Sequence, residues 1–475
     1  MSLRDPIVVN LLESLSGEGP LHAQLYASIR SAILAGGLVA GTRLPSTRAL
    51  ASGVGVSRNT AEEAFARLAQ EGYLERRVGD GTYVAQLERA PRARRSSISP
   101  RDLSARGRLV ARESACVEPA RVLPFNAGSA DVRSFPYDTW HRLLVRRSRQ
   151  SPTALLGYGD PAGYPPLREA VAAYLNASRG VRCSPEQVII LTSSQQAIDL
   201  TARLLLDPGD RVWLEEPGYP GARAAFRAAG AELVPVAVDD DGMRVEELDG
   251  AAKLAYVTPS NQYPLAVTLS LERRLALLQW ARAHSGFIVE DDYNSEFRYD
   301  GRPVAAIQGL ADDARVIYLG TFTKTMFPSI RVAYAVVPPA LASVFARARA
   351  QVDGHTNVLT QAVLADFVAE GHFGAHLRRM RHVYRGRRDA LLDELHRRLG
   401  TRVTFSAPEG GFHVVLSLPK DVRELVRRGA EAGLDLVPIS RTYLAASPPP
   451  GLLLGYTALT LREIRDGVRA LARLL

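Results

Sequence analysis

The chain has 475 residues, 46% hydrophobic and 23% charged, the mix of a globular protein long for a single domain. Two cysteines, Cys116 and Cys183, are too few and too far apart for a disulfide framework or a metal site. No apolar stretch is long enough for a membrane span and no signal peptide opens the chain, so a reducing, cytoplasmic setting without metal or membrane is expected. The net charge of +9 permits nucleic-acid binding, and residues 1–123, with 17 Arg against 12 acidic residues, hold its densest part.

In chain order, Leu21 to Leu34 carries apolar residues at helical spacing and stops at Ala35-Gly36-Gly37. Ser46 in Leu44-Pro-Ser-Thr-Arg48 caps a short helix reaching about Gly53. Gly53-Val-Gly-Val-Ser57 is a tight turn, and Ser57 caps a third helix, Arg58 to Gln70. Two helices joined by a glycine-containing turn form the helix-turn-helix pattern, and Arg58-Asn59-Thr60 put side chains able to reach base edges at the second helix's start. Tyr73 to Arg77 and Gly81 to Val84 read as a hairpin around Val78-Gly-Asp-Gly81. The whole run, "GTRLPSTRALASGVGVSRNTAEEAFARLAQEGYLERRVGDGTYV", resembles the winged helix-turn-helix of the GntR regulators. The resemblance implies a DNA-binding domain over residues 14–85. Arg43 would lie near phosphate, Arg48 and Arg58 would read bases, Thr47 and Thr60 would support them, and Gly79 would sit at the wing tip in the minor groove.

Residues 86–123 change character. Glu88-Arg-Ala-Pro-Arg-Ala-Arg-Arg-Ser-Ser97 holds few large apolar groups and several like charges, the composition of a basic linker. From Pro124 onward apolar strands alternate with helical stretches, predicting an α/β fold with a mostly parallel sheet. Val188 to Thr192 is a strand, with Ser193-Ser194-Gln195 at the following helix start, where backbone N–H groups make an anion site. Strands at 211–215, 254–258 and 287–291 lead into Pro217-Gly-Tyr219, into Asn261-Gln262-Tyr263-Pro264 and into Asp291-Asp292-Tyr293. Ligands in open α/β sheets sit beyond the carboxyl ends of the strands, so these residues should converge on one pocket.

The last of these strands, Val316 to Leu319, precedes Lys324, which is expected on a strand-end loop among Thr321, Thr323 and Thr325, with Arg331 seven residues on. The chain has only three lysines, Lys253, Lys324 and Lys420, so a lysine kept here points to use of its amine. Lysine forms Schiff bases with carbonyl cofactors, and hydroxyls beside an arginine suit a phosphate. A Schiff-base lysine, a phosphate cradle, a carboxylate for a pyridinium nitrogen and an aromatic ring for stacking are together the needs of pyridoxal 5'-phosphate. The segments "YGDPAGYPPLREAVAAYL", "EEPGYPG", "VTPSNQYP", "EDDYNSEFRY" and "GTFTKTMFPSIR" resemble a fold-type I aminotransferase domain over residues 124–475, with a large and a small subdomain. That resemblance implies that Lys324 carries the cofactor, Asp291 pairs the pyridinium nitrogen, Tyr293 bonds the phenolic oxygen and Tyr219 stacks on the ring. Ser193, Ser194, Gln195, Thr321, Thr323 and Arg331 would hold phosphate, together with Tyr158 from a neighbouring subunit, and Arg441 would fix an effector's carboxylate. Two departures stand out. The aminotransferase's asparagine before a proline is here Tyr263, with Asn261 and Gln262 as stand-ins, and Ser193 occupies a position often taken by glycine.

Joined, the two halves resemble the MocR/GabR subfamily of GntR regulators. The resemblance implies a homodimer that binds repeated DNA half-sites and senses a small amine or amino acid through its cofactor. The rival reading is a working aminotransferase with an accessory DNA-binding domain.

Overall fold

The computed structural model describes residues 19–87, 99–112, 122–150, 152–248, 252–301, 304–310 and 315–475. The chain divides into two compact units, Met1–Ser99 and Pro100–Leu475. Among the described residues no helix is long and apolar enough to cross a membrane.

In the first unit, α1 (Leu21–Ala35) turns Leu25, Ile29 and Ile33 inward, a spacing of four that lines one helical face. Ser46 caps α2 (Thr47–Val54) by accepting the Ala49 N–H, and Ser57 caps α3 (Arg58–Gln70) by accepting the Thr60 N–H. The turn between them starts later than the sequence reading had it. Gly53 and Val54 stay helical because Val54 is drawn into the core, and the chain reverses at Gly55, whose φ of +73° favours glycine. Ala61, Ala64, Phe65 and Leu68 of α3 close that core against Leu25, Leu50, Leu74 and Val84. The wing strands β2 (Leu74–Arg77) and β3 (Gly81–Val84) pair antiparallel, Leu74 opposite Val84. A third strand, β1 (Arg43–Leu44), joins β3 to give the order β1-β3-β2. Two residues are too short for alternation to register in a sequence.

The expected linker, 86–123, contains ordered structure: a 3-10 turn at Pro100–Asp102 and α4 (Ala105–Arg112), both belonging to the second unit. The rest of that segment, 88–98 and 113–121, lies outside the described residues.

The second unit is built on an eight-stranded sheet of order β4-β11-β10-β9-β8-β5-β6-β7. Its strands are β4 (Val188–Leu191), β5 (Arg211–Glu216), β6 (Glu232–Asp239), β7 (Gly242–Met243), β8 (Leu254–Val257), β9 (Phe287–Asp291), β10 (Val316–Thr321) and β11 (Ala333–Val336). Pairing is parallel from β10 through β9, β8 and β5 to β6, while β11 runs against both its neighbours and β7 against β6. β4, β8 and β10 are buried along their whole length, as strands covered by helices on both faces must be. A smaller antiparallel sheet, β12 (Thr404–Phe405), β13 (His413–Ser417), β14 (Val437–Pro438) and β15 (Gly451–Gly455) in the order β12-β13-β15-β14, forms the second layer. The long helix His372–Leu399 and the C-terminal helix Leu461–Leu474 share its apolar core through Leu391, Leu395, Ile464 and Leu471.

Candidate functional site

The carboxyl ends of β4, β5, β8, β9 and β10 deliver the residues singled out in the sequence. Lys324 sits on α7 (Phe322–Thr325), a single helical turn that starts directly at the end of β10, and not on a loop. Two further helices, α5 (Ser194–Leu205) and α6 (Pro220–Ala228), begin at the ends of β4 and β5. Thr321 caps α7 by accepting the Thr323 N–H at 3.1 Å, so its hydroxyl is committed to the turn. The Lys324 amine is half-buried and donates to the Gly128 carbonyl at 2.8 Å. Gly128 holds φ +91°, a left-handed backbone that favours glycine, while a Cβ there would meet Nζ only at an ordinary contact of 3.5 Å.

Asp291 ends β9 and is 4% exposed. Its Oδ2 accepts the Tyr256 hydroxyl at 2.6 Å, while Oδ1 is buried with no hydrogen-bond partner among the described residues. Burial pushes this carboxyl up to about 6, with the charge of Asp292 adding to the rise and the Tyr256 bond opposing it. A cationic N–H at Oδ1 would satisfy the orphan oxygen and restore the ionised form. Tyr293 is half-buried, and its hydroxyl accepts from Asn261 Nδ2 at 3.1 Å. The geometry therefore separates the two stand-ins. Gln262 is consumed structurally, donating to the Pro217 and Tyr263 carbonyls at 2.7 Å each, whereas Asn261 meets Tyr293. Tyr263 stands edge-on to Tyr219, Tyr293 and His413, at centroid distances of 5.8, 6.3 and 5.7 Å, placing a third ring between the two predicted tyrosines.

Tyr219 precedes the first turn of α6, which is fastened to α5 by a bond from Gln195 Nε2 to the Gly221 carbonyl at 2.8 Å. A Cβ on Gly221 would lie 2.3 Å from Gln195 Oε1 and 2.5 Å from the Tyr219 ring, so a larger residue would displace both predicted contacts. Ser193 is the cap of α5, accepting the Gln196 N–H at 3.1 Å, which accounts for a serine at this position. The Ser194 and Gln195 N–H groups belong to the first turn, where a helix offers its unpaired donors and positive dipole end. On α7, the Thr323 hydroxyl is buried and has no hydrogen-bond partner among the described residues. Arg331 follows the 3-10 turn Pro328–Ile330, exposed and at φ +50°. Lysine beside a carbonyl, a carboxylate with an orphan oxygen, a helix start and an orphan hydroxyl fit pyridoxal 5'-phosphate in charge and hydrogen-bonding character.

Two predicted residues stand apart. Tyr158 is fully exposed, its ring edge-on to His355 at 6.2 Å. Arg441 is exposed on the 3-10 turn Ile439–Thr442, whose backbone meets the Tyr219 loop: the Thr442 carbonyl accepts the Gly218 N–H at 2.9 Å. Sequence reasoning missed Gly128, Tyr256 and the contribution of Tyr263. Tyr256 was hidden inside an apolar strand, and only Gly128's place just after Phe125-Asn126-Ala127, before any predicted helix, signals a loop.

In the first unit, several arginines are fixed by neighbours. Arg67 pairs with Glu71 at 3.0 Å, Arg76 with Glu62 at 3.0 Å, and Arg77 lies over the Tyr83 ring. Arg48 and Arg58 are exposed and form no ion pair or hydrogen bond among the described residues. Arg43 donates to the Asp80 carbonyl and lies against Gly81, which ties it to the wing. Thr47 opens α2 half-buried, Asn59 is exposed in the first turn of α3, and Thr60 shares a 2.8 Å hydroxyl contact with the Ser57 cap. Gly79, at φ +77°, forms the wing's reversal beside Val78, which is fully exposed.

Residues 126–452 match the family model described as aminotransferase class I and II, and residues 21–84 the model for bacterial regulatory proteins of the gntR family. The chain is 44% identical over 459 residues to the probable rhizopine catabolism regulatory protein MocR of Rhizobium meliloti, covering 95% of this chain and 93% of that protein. It is 30% identical over 451 residues to the pyridoxine biosynthesis transcriptional regulator PdxR of Corynebacterium glutamicum, covering 95% and 94%. Among solved structures it resembles LysN, the alpha-aminoadipate aminotransferase of Thermus thermophilus complexed with N-(5'-phosphopyridoxyl)-L-leucine. There the TM-score is 0.69 and the identity 32%, over 78% of this chain and 94% of that one. A winged helix with exposed arginines, continued by an aminotransferase fold and matched over 95% of its length by MocR, places this chain in the MocR/GabR subfamily of GntR transcription regulators.

Proposed function

We propose that the protein is a DNA-binding transcription regulator that holds pyridoxal 5'-phosphate at Lys324 and reads a small amine or amino acid there. The observation that carries this reading is the buried Oδ1 of Asp291, unpartnered among the described residues, at the end of β9 and beside β10, the strand that leads into Lys324, in a chain whose other unit holds Arg48 and Arg58 exposed and without an ion pair or hydrogen bond among the described residues. When bound, the cofactor supplies an aldehyde carbon that condenses with primary amines and a ring that withdraws electrons from them. Asp291 holds a proton on the ring nitrogen, Tyr293 and Asn261 bond the phenolic oxygen, and Tyr219 covers one ring face. The start of α5, with the Thr323 hydroxyl and Arg331, binds the phosphate, completed by Tyr158 of a second copy in a homodimer, while Thr321 caps the turn that presents Thr323. The Lys324 amine, when not bonded to the cofactor, would keep the Gly128 carbonyl as its acceptor. Arg441 presents a guanidinium fork to a carboxylated effector. Differential binding of that effector to two arrangements of the dimer shifts their populations and so the affinity for a repeated half-site in cytoplasmic DNA. The domains assigned are 14–85 for DNA, 86–123 as a partly helical connection and 124–475 for the effector.

The two named regulators concern different processes, rhizopine catabolism and pyridoxine biosynthesis. The test is a titration of amines and amino acids that follows visible absorbance and operator affinity together. Coupled changes support sensing. Rapid multiple turnover without any change in DNA affinity would establish the aminotransferase reading instead.

A further inference from the structure

The segment that carries Arg441 continues as an irregular stretch, Tyr443 to Pro450, between β14 and β15. Its side chains from Ala445 onward are exposed, so apolar burial does not hold it. Backbone donors hold it instead. Glu216, the last residue of β5 and only 8% exposed, accepts the N–H groups of Leu444 at 2.8 and 2.9 Å, Ala445 at 2.8 Å and Ala446 at 2.9 Å. Three successive N–H groups converging on one carboxylate form an anion nest, and hydrogen bonds to an ionised acceptor are the strong kind. Neighbouring residues add to the junction. Gly218 N–H donates to the Thr442 carbonyl at 2.9 Å, and Arg223 donates to the carbonyls of Tyr443 at 2.8 Å and Arg441 at 3.3 Å. Behind these bonds lies a small cavity lined by Glu216, Tyr219, Arg223, Tyr256, Thr442 and Leu444. The junction is therefore polar and not a packed apolar seam. Arg223 belongs to α6, and α6 lies against α4, the helix that follows the connection from the DNA-binding unit.

We infer that Glu216 is a positioning residue for effector recognition: its carboxylate clasps residues 444–446 and thereby holds the Arg441–Thr442 turn beside Tyr219. The Glu216 carboxylate bonds the backbone of residues 444–446, whereas Asp291 bonds Tyr256 and Lys324 bonds the Gly128 carbonyl, so its effect is expected on the effector and not on cofactor loading. The inference rests on the proposed sensing role of Arg441.

The experiment uses the full-length, cofactor-loaded protein and two probes that capture the cofactor's aldehyde: aminooxyacetate, which has a carboxylate, and methoxyamine, which lacks one. Wild-type protein, Glu216→Gln, Glu216→Ala and Ala446→Pro are compared, the last removing one donor from the opposite side of the clasp. The expected result is a roughly tenfold or greater rise in half-saturating aminooxyacetate for Glu216→Ala, a smaller one for Glu216→Gln and Ala446→Pro, and unchanged methoxyamine capture, cofactor spectrum and DNA affinity without effector. Hydrogen exchange over residues 444–446 is expected to accelerate in the Glu216 variants. Unchanged aminooxyacetate capture with accelerated exchange overturns the positioning role, and so does an equal loss for both probes. Wild-type protein that does not favour aminooxyacetate would instead remove the carboxylate reading of Arg441, and unaltered exchange at 444–446 would then remove the clasp as well.

Discussion

Replacing Asp291 by Asn should make the cofactor-free protein more stable and, at the same time, unable to hold its cofactor. The carboxyl is 4% exposed, has one oxygen without a partner, and is pushed up to about 6 by burial. An exposed aspartate titrates near ~3.9, so folding costs about 2 pKa units, or about 3 kcal/mol at pH 8, where the group must be buried ionised. The sign follows from the raised folded value. The contribution of Asp291 is most favourable below the unfolded value, where the group is neutral in both states, and is lost as pH rises through about 6. Asparagine keeps an acceptor for the Tyr256 hydroxyl and carries no charge, so it escapes this cost. Urea titration of cofactor-free wild type and Asp291→Asn should show the variant ahead by up to about 3 kcal/mol at pH 8, the gap shrinking to about half at pH 5. Added pyridoxal 5'-phosphate should stabilise the wild type and leave the variant nearly unmoved, because a neutral amide cannot compensate a pyridinium cation. A variant less stable than wild type at pH 8, or a gap that does not change with pH, would refute the assignment of Asp291 as a carboxylate kept strained for a cation.

Borohydride reduction of the loaded protein followed by peptide mapping should place the cofactor on Lys324 and leave Lys253 and Lys420 unmodified. Arg58→Ala should cost about 1–3 kcal/mol at the specific operator and much less on random DNA, read by gel shift at fixed salt; an equal loss on both would make Arg58 a phosphate contact. Sedimentation should find a dimer when the cofactor is bound, and Tyr158→Phe should weaken cofactor retention; a fully loaded monomer would contradict both. Arg441→Ala should retain the cofactor spectrum and basal DNA binding but lose the effector response, read as a rise in the half-saturating effector concentration in an absorbance titration.

Legibility followed the distance over which each signal acts. α3 was readable because its cap, Ser57, and its buried face, Ala61 to Leu68, lie within twelve residues. The strand ends of the large sheet were readable because β4, β8 and β10 are buried on both faces and so appear as unbroken apolar runs. α4 was not, since its sequence, Ala-Arg-Gly-Arg-Leu-Val-Ala-Arg, differs little in charge from the linker around it. Asn261, Gln262 and Tyr263 are adjacent, so only the three-dimensional turn decides which of them meets Tyr293. The contact between Glu216 and Leu444 spans 228 residues with no periodicity to announce it.

The placing of β11 also sets an order on synthesis. β4 lies at the sheet edge and pairs with β11, Leu191 opposite Ala333, so the strand leading to Ser193 stays unpaired until Val336 has left the ribosome. The core around Phe65, by contrast, is complete once Val84 has been made. At about 5–20 residues per second, roughly 12–50 s separate the two events. Each nascent chain thus acquires a folded DNA-binding head well before it has a sensor to govern it, so freshly made protein passes through an interval in which any restraint on that head has yet to be built.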